Sequence, residues 1–509
     1  MSQSPSPTSA TASKHGASDA RYAFRGGLVQ LLGILGQAFM TLQGVIVPRL
    51  FGPTAYGLYS GLRDLVEILA RAACLGTDKG LYRFVAGHCA AGEPERAADA
   101  TAVALRITAV TGVVLAGVAA VAAPFIAKVF HRPEVAGLLP FIAPAIFGLS
   151  MTFTAVAASL GYKRPKAQLH VRGIAEPLLL VGATAVAGVV LPRITTLAVI
   201  HGAVYFVIAW FAVSRLPRDV YASLWSRLRH ARYPGLLAFS LPVAALELTN
   251  IVRHRVDGMV VFAMFPPKTA ALYFASETIG RIAANIRYAF DGIVAPMFSE
   301  AIHTHDRLRL QNSYRVLTRM VATLSFPLAM SLISLRERLV LLSGDAFASA
   351  AMLVPFHVSG HLANGVLGLA GHVLMMAGRT RWLLINQLIA AGVNILACVL
   401  LIPRFGLLGA AYAFLLGWAV SLGTTLVEVA IVERVQPFGA GLFKPGAAAV
   451  LMYLAQRQAQ HIDNVFINVG VTLLGGLAVY ATSLVALGLD PTEKAAVAKQ
   501  WQRLRRRSE

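Results

Sequence analysis

A chain of 509 residues that is 57% apolar and 14% charged, with mean hydropathy +0.65, is far too apolar for a soluble globule. It reads as an all-α polytopic membrane protein, because lipid offers no partner to a free backbone amide and long apolar stretches must therefore span as helices. The net charge of +21 does not mark a nucleic-acid binder, since the basic residues are spread over many short loops. Cys74, Cys89 and Cys398 stand apart without metal-ligand spacing, which excludes a disulfide framework or zinc site.

Residues 1–20, rich in Ser, Thr, Ala and Pro, read as a disordered tail. The first apolar stretch is too long for a signal-peptide core and lacks a small-residue cleavage pattern, so it is expected to remain as a span. By the criterion of roughly 20 apolar residues, about fourteen spans follow. They lie near 26–48, 56–76, 101–123, 136–160, 170–191, 194–214, 235–265, 269–298, 316–335, 348–377, 382–402, 406–431, 441–456 and 465–489.

Lys and Arg concentrate in alternate loops, and more of them fall on the side that holds both termini. That bias predicts cytoplasmic termini and an even number of spans.

One phrase occurs twice, 214 positions apart: FGPTAYGLY from Phe51 to Tyr59, and FPPKTAALY from Phe265 to Tyr273. LPR at Leu191 to Arg193 and IPR at Ile402 to Arg404 form a second match, each expected where Pro ends one helix and a short turn opens the next. The repeat predicts two six-helix lobes, 21–214 and 235–432, related by a parallel pseudo-twofold axis along the membrane normal. A basic cytoplasmic linker, 215–234, would join them. Two additional helices, 433–489, and a basic tail, 490–509, would follow; WQRLRRR from Trp501 to Arg507 suits anionic headgroups. No loop is long enough to fold as a catalytic domain, so an enzyme is not expected.

Each copy of the phrase leads into a charged helix. Arg63, Glu67 and Arg71 follow the first at i, i+4 and i+8, with Asp64 at the stripe's margin. Glu277, Arg281, Arg287 and Asp291 follow the second, and the repeat superposes Arg63 on Glu277 and Glu67 on Arg281 with signs reversed. A charge at mid-bilayer costs at least about 2.5 kcal/mol, so these side chains are expected to face the protein interior or a water-filled cavity. A duplicated membrane architecture with ionisable residues at matching depths is the signature of a transporter. If the stripes face each other, they line one cavity between the halves.

Arg63, Arg71, Arg281 and Arg287 are the candidate substrate-binding residues, because a guanidinium donates paired hydrogen bonds to phosphate and stays charged. Asp64, Glu67, Glu277 and Asp291 are candidates for proton or sodium coupling, or for holding the arginines. Structural ion pairing is the competing reading for Arg63 with Glu67, Glu277 with Arg281, Arg172 with Glu176 and Arg287 with Asp291. Snorkelling to an interface is the competing reading for Arg71 and Arg106, and reaching headgroups the competing reading for Arg253 to Asp257, near the outer end of a long helix. No metal site or cofactor is expected.

The segment VPRLFGPTAYGLYSGL, with GTDKGLYRFVA from Gly76 to Ala86, resembles the start of bacterial polysaccharide flippases of the Wzx type. These belong to the multidrug, oligosaccharidyl-lipid and polysaccharide exporter superfamily. RVDGMVVFAMFPPKTAALY, APMFSEA and the stretch from Ala377 to Ala413 carry the resemblance through the second half, so that it covers roughly residues 20–490.

The resemblance implies twelve or fourteen helices in two lobes and alternating access. It implies a bacterial inner-membrane location and an undecaprenyl-pyrophosphate-linked oligosaccharide as cargo, with membrane lipids and other polysaccharide-assembly proteins as partners. Such proteins commonly have an apolar second span, so Arg63, Asp64, Glu67 and Arg71 are not carried over from the family. A cation-coupled exporter of drugs or small metabolites on the same fold is the alternative, and a membrane-embedded glycosyltransferase, polymerase or ligase the more distant one.

Overall fold

The computed structural model describes residues 36, 39–459 and 465–488. Both tails and most of the first apolar stretch lie outside the described residues. Among those described there is no strand, and the chain divides into two compact units after Ala271.

The first unit begins with α1 (Gln43–Cys74), α2 (Thr77–Ala90) and α3 (Pro94–Val121). Two short helices follow, α4 (Ala123–Val129) and α5 (Pro133–Ile142), then α6 (Pro144–Gly161). Next come α7 (Pro165–Val190) and α8 (Ile194–Ser214). The unit ends with α9 (Arg218–His230) and α10 (Leu236–Met264).

Phe51 to Tyr59 is the corner inside α1. Gly52, at φ 83° and ψ 167°, interrupts the helix with a backbone that only glycine adopts without strain. The second copy turns by other means. Phe265 is extended, the Pro266 carbonyl accepts from the amides of Thr269 and Ala270, and Pro267 opens α11 (Pro267–Ile282) at its first position, where a missing N–H costs nothing.

Small residues bring the first unit's helices together, as expected where dispersion and hydrogen bonding replace the hydrophobic drive. A Cβ on Gly57 would lie 2.0 Å from the Pro267 carbonyl oxygen, and one on Gly61 2.3 Å from the Phe262 ring. The most enclosed span, α6, packs against α1, α2, α3 and α8. Thr77, Thr108 and Thr154 form a hydroxyl chain across these helices at 3.2 and 3.0 Å.

Beyond α11 lie α12 (Asn285–His303), α13 (Arg307–Ser334) and α14 (Arg336–Leu341), with Asp306 accepting from the Arg309 amide at the start of α13. A 3₁₀ turn at Asp345–Met352 meets α15 (Val354–Leu367) and α16 (Leu369–Met376) in a span bent by 56°. The unit continues with α17 (Thr380–Phe405), α18 (Leu407–Glu428), α19 (Ala440–Ala459) and α20 (Val465–Ala486). Its core includes Phe298, Tyr314, Val321, Leu369 and Val373.

The IPR motif differs from its partner. After Leu191 the chain leaves helical geometry before Pro192, whereas α17 runs through Pro403 to Phe405 and turns at Gly406, φ 59°. Among the described residues nine helices are long and apolar enough to span, or ten with the bent pair. The charged second and eighth expected spans, in α1 and in α11 with α12, are not among them.

Candidate functional site

In the first unit the charges on α1 meet partners from other helices. Arg255 of α10 places Nη1 3.1 Å from Asp64 Oδ1 and Nη2 2.5 Å from Glu67 Oε2. Arg63 Nη2 lies 3.5 Å from the same Asp64 oxygen. Asp64 is thus flanked by two guanidinium groups while being almost wholly enclosed, with its side chain 1% exposed. A carboxylate withdrawn from water this far needs cationic partners at hydrogen-bond distance.

Arg253, Arg255 and Asp257 therefore do not reach headgroups. Arg253 and Asp257 are buried, and the Arg255 side chain is only 11% exposed. Lys79 and Glu247 add another contact between α2 and α10, at 3.6 Å.

Further along α1, Arg71 reaches Asp78 at 3.4 Å, and its guanidinium carbon lies 3.6 Å from the centre of the Phe153 ring on α6. Arg172 is set against the same ring at 4.8 Å and pairs with Glu176 at 3.2 Å. Two arginines from different helices thus converge on one buried phenylalanine, each held on its own side by a carboxylate. An aromatic ring face attracts both cations. Their side chains remain 26% and 33% exposed, so donors are left over for an anion.

Arg172 sits in a π-helical stretch, Leu169–Ala175, within α7. Beyond it Glu176 accepts from the Tyr205 hydroxyl at 3.0 Å, Tyr205 meets His201 edge-on at 4.9 Å, and His201 Nδ1 lies 2.8 Å from the Tyr59 hydroxyl. Gln43 donates to that hydroxyl at 2.9 Å. The chain of polar contacts from Gln43 to Arg172 is closed to solvent except at the arginine.

The second unit treats its charges differently. Arg281 Nε closes on Glu277 of its own helix at 3.6 Å, the expected i,i+4 pair. His357 lies beside it, 3.0 Å from Ser276 Oγ and edge-on to Tyr273 at 4.6 Å. Arg287 runs along Gly368, where a Cβ would come within 2.9 Å of its Nη1. Asp291 lies outside the residues whose side chains are described.

Arg255, Arg172 and Phe153 are the contributors that the repeat could not identify. Arg172 and Glu176 were visible as an i,i+4 pair, whereas nothing in the linear spacing aims Phe153 at Arg71. Arg106 donates to the carbonyls of Leu228 and Ala231 at 3.1 and 3.2 Å, at the C-terminal end of α9.

The chain is an all-helical multi-pass membrane protein with a buried lattice of arginines and carboxylates. At 13% identity the fold resembles the lipid II flippase MurJ in its inward closed conformation, with TM-score 0.69 over 90% of this chain and 97% of that one. It also resembles an inward-facing multidrug resistance MATE family transporter of the MOP superfamily, with TM-score 0.64, 12% identity, and 83% and 98% coverage. A Vibrio cholerae MATE transporter matches with TM-score 0.59 at 12% identity over 84% and 99% of the two chains.

No curated protein matches the chain in sequence. Residues 46–351 match the model of the polysaccharide biosynthesis protein family, and the chain belongs to that family. The solved structures that share its fold are a lipid II flippase and MATE family transporters.

Proposed function

We propose that this protein is a flippase of the bacterial inner membrane. It would carry an undecaprenyl-pyrophosphate-linked oligosaccharide from the inner to the outer leaflet by alternating access, for polysaccharide biosynthesis. The observation that carries this reading is the convergence of Arg71 and Arg172 on Phe153 with their guanidinium groups part-exposed. Paired guanidinium groups match a pyrophosphate in charge and in hydrogen-bond geometry. Family membership and the likeness in fold to a lipid II flippase support the same cargo class.

Arg63, Arg281 and Arg287 are retained as proposed phosphate-recognition residues. Asp64, Glu67, Glu277 and Asp291 are retained as proposed proton- or sodium-coupling groups or as partners of the arginines. Replacing the native gene with R71A/R172A tests the reading. Loss of surface polysaccharide, with lipid-linked oligosaccharide accumulating at normal protein levels, is expected; undiminished polysaccharide would refute the phosphate role.

The MATE fold favours a second reading, cation-coupled export of drugs or small metabolites. Part-exposed arginines repel cationic compounds. Resistance to cationic dyes on overexpression, with normal polysaccharide in a deletion strain, would select that reading instead.

A further inference from the structure

The helix α9 (Arg218–His230) connects two spans, yet it is fastened like a structural element. Val220 and Leu224 are buried one turn apart. Arg227 donates to Asp99 and Glu95 of α3, and Arg106 caps the carbonyls of Leu228 and Ala231 at the helix's negative end. These contacts fix which face of α9 points away from the protein.

That outward face has an ordered composition. Arg218, Tyr221, Trp225 and Arg229 fall within about 40° of one line along the helix, and all four are exposed, Trp225 to 78%. Arg232 is exposed just past the helix end. Two aromatic rings thus lie between basic ends, with Asp219 an exposed acidic neighbour.

The depth of this face can be read from α3. Residues 97–108 of α3 are nowhere exposed where α9 covers them, whereas Val110, Val113, Val114, Val118 and Val121 are all more than half exposed. The exposed apolar strip begins one turn, about 6 Å, beyond Arg106. The stripe on α9 therefore lies at the edge of the apolar band, where Trp and Tyr rings anchor and where arginines meet headgroups.

We propose that α9 is a lipid-reading element whose outward face binds the headgroups of anionic phospholipids. The charge of Arg218, Arg229 and Arg232 selects anionic over zwitterionic headgroups, and Tyr221 with Trp225 sets the depth. This inference depends on membrane placement alone and stands whatever cargo the protein moves.

The test uses the full chain in proteoliposomes containing phosphatidylglycerol or phosphatidylcholine brominated near the top of the acyl chains, at equal mole fraction. The Trp225 signal is obtained as the difference between wild type and W225F. Brominated phosphatidylglycerol is expected to quench Trp225 about twofold more than brominated phosphatidylcholine. In R218Q/R229Q/R232Q the two should quench equally while quenching itself persists.

Equal quenching by both lipids in the wild type would overturn the proposal, as would an unchanged preference in the triple variant. Absence of quenching by either lipid would show the face covered by water or protein, and would overturn it too. The wild-type comparison decides even if the triple variant does not fold.

Discussion

The two helices that follow the repeated phrase share a register and differ in how they hold their charge. In α1, Asp64 and Glu67 are neutralised by Arg255 from α10, and Arg71 by Asp78 from α2. In α11, Glu277 is neutralised by Arg281 one turn away on the same helix. A pair closed within one helix travels with that helix. A pair closed between helices resists their separation, and so registers any movement of one against the other.

The largest effect is expected where that difference is greatest. Arg255→Ala removes a partner from two carboxylates at once and should cost about 3 kcal/mol or more of stability, seen as a lower melting temperature in detergent. The triple change D64N/E67Q/R255M should recover most of it. If R255A melts like wild type, the bond between α1 and α10 is not a structural tie.

Transport should respond next. R71A and R172A should each lower flipping of a pyrophosphate-linked oligosaccharide in proteoliposomes by at least about tenfold, the loss of one or more charge-assisted hydrogen bonds. Lysine at either position should restore only part of it. An Arg281→Gln change should cost about 1 kcal/mol or less, because an i,i+4 pair with a partly exposed member is a weak tie. A cost matching that of R255A would erase the contrast between the two copies.

The smallest effect concerns the loop between α2 and α3. His88 Nδ1 lies 2.7 Å from Glu93 Oε2, and the hydrogen bond holds the Glu93 carboxyl below its ordinary value of 4.5. A carboxylate whose folded value is depressed adds stability that is complete above the unfolded value and is lost as pH falls through the folded one. Protection of this loop from acid protease should therefore decline below about pH 4.5 in the wild type, and H88A should flatten that decline.

Much of the fold was legible because apolar length is a one-dimensional property. The sixth span runs from Ile194 to Ser214, as the hydropathy places it, and the repeated phrase is a corner between helices in both copies. Azimuth and partner are not one-dimensional. The position of Arg253 to Asp257 near the end of a long helix suggested headgroups, while the fold turns Arg255 inward onto carboxylates almost two hundred residues earlier in the chain.

The partners of Arg106 were hidden for the same reason. Its carbonyl partners belong to a connecting helix that polarity alone marks only as a loop. Arg63 and Glu277, which the repeat aligns with signs reversed, have different kinds of neighbour: Asp64 beside it in the chain for the first, Arg281 one turn on for the second.

The π-helical stretch at Leu169–Ala175 has a consequence for how this membrane helix can be edited. A π turn holds one more residue than an α turn, so everything after Ala175 is rotated by about 100° relative to an uninterrupted α-helix. Deleting Gly173 would let the turn relax to α geometry. Arg172 would then keep its charge and stand three residues from Glu176, still on one face, while its aim at the ring it shares with Arg71 would shift. One glycine's worth of backbone thus tunes the aim of an arginine, and the proposed phosphate site can be altered without changing any of its side chains.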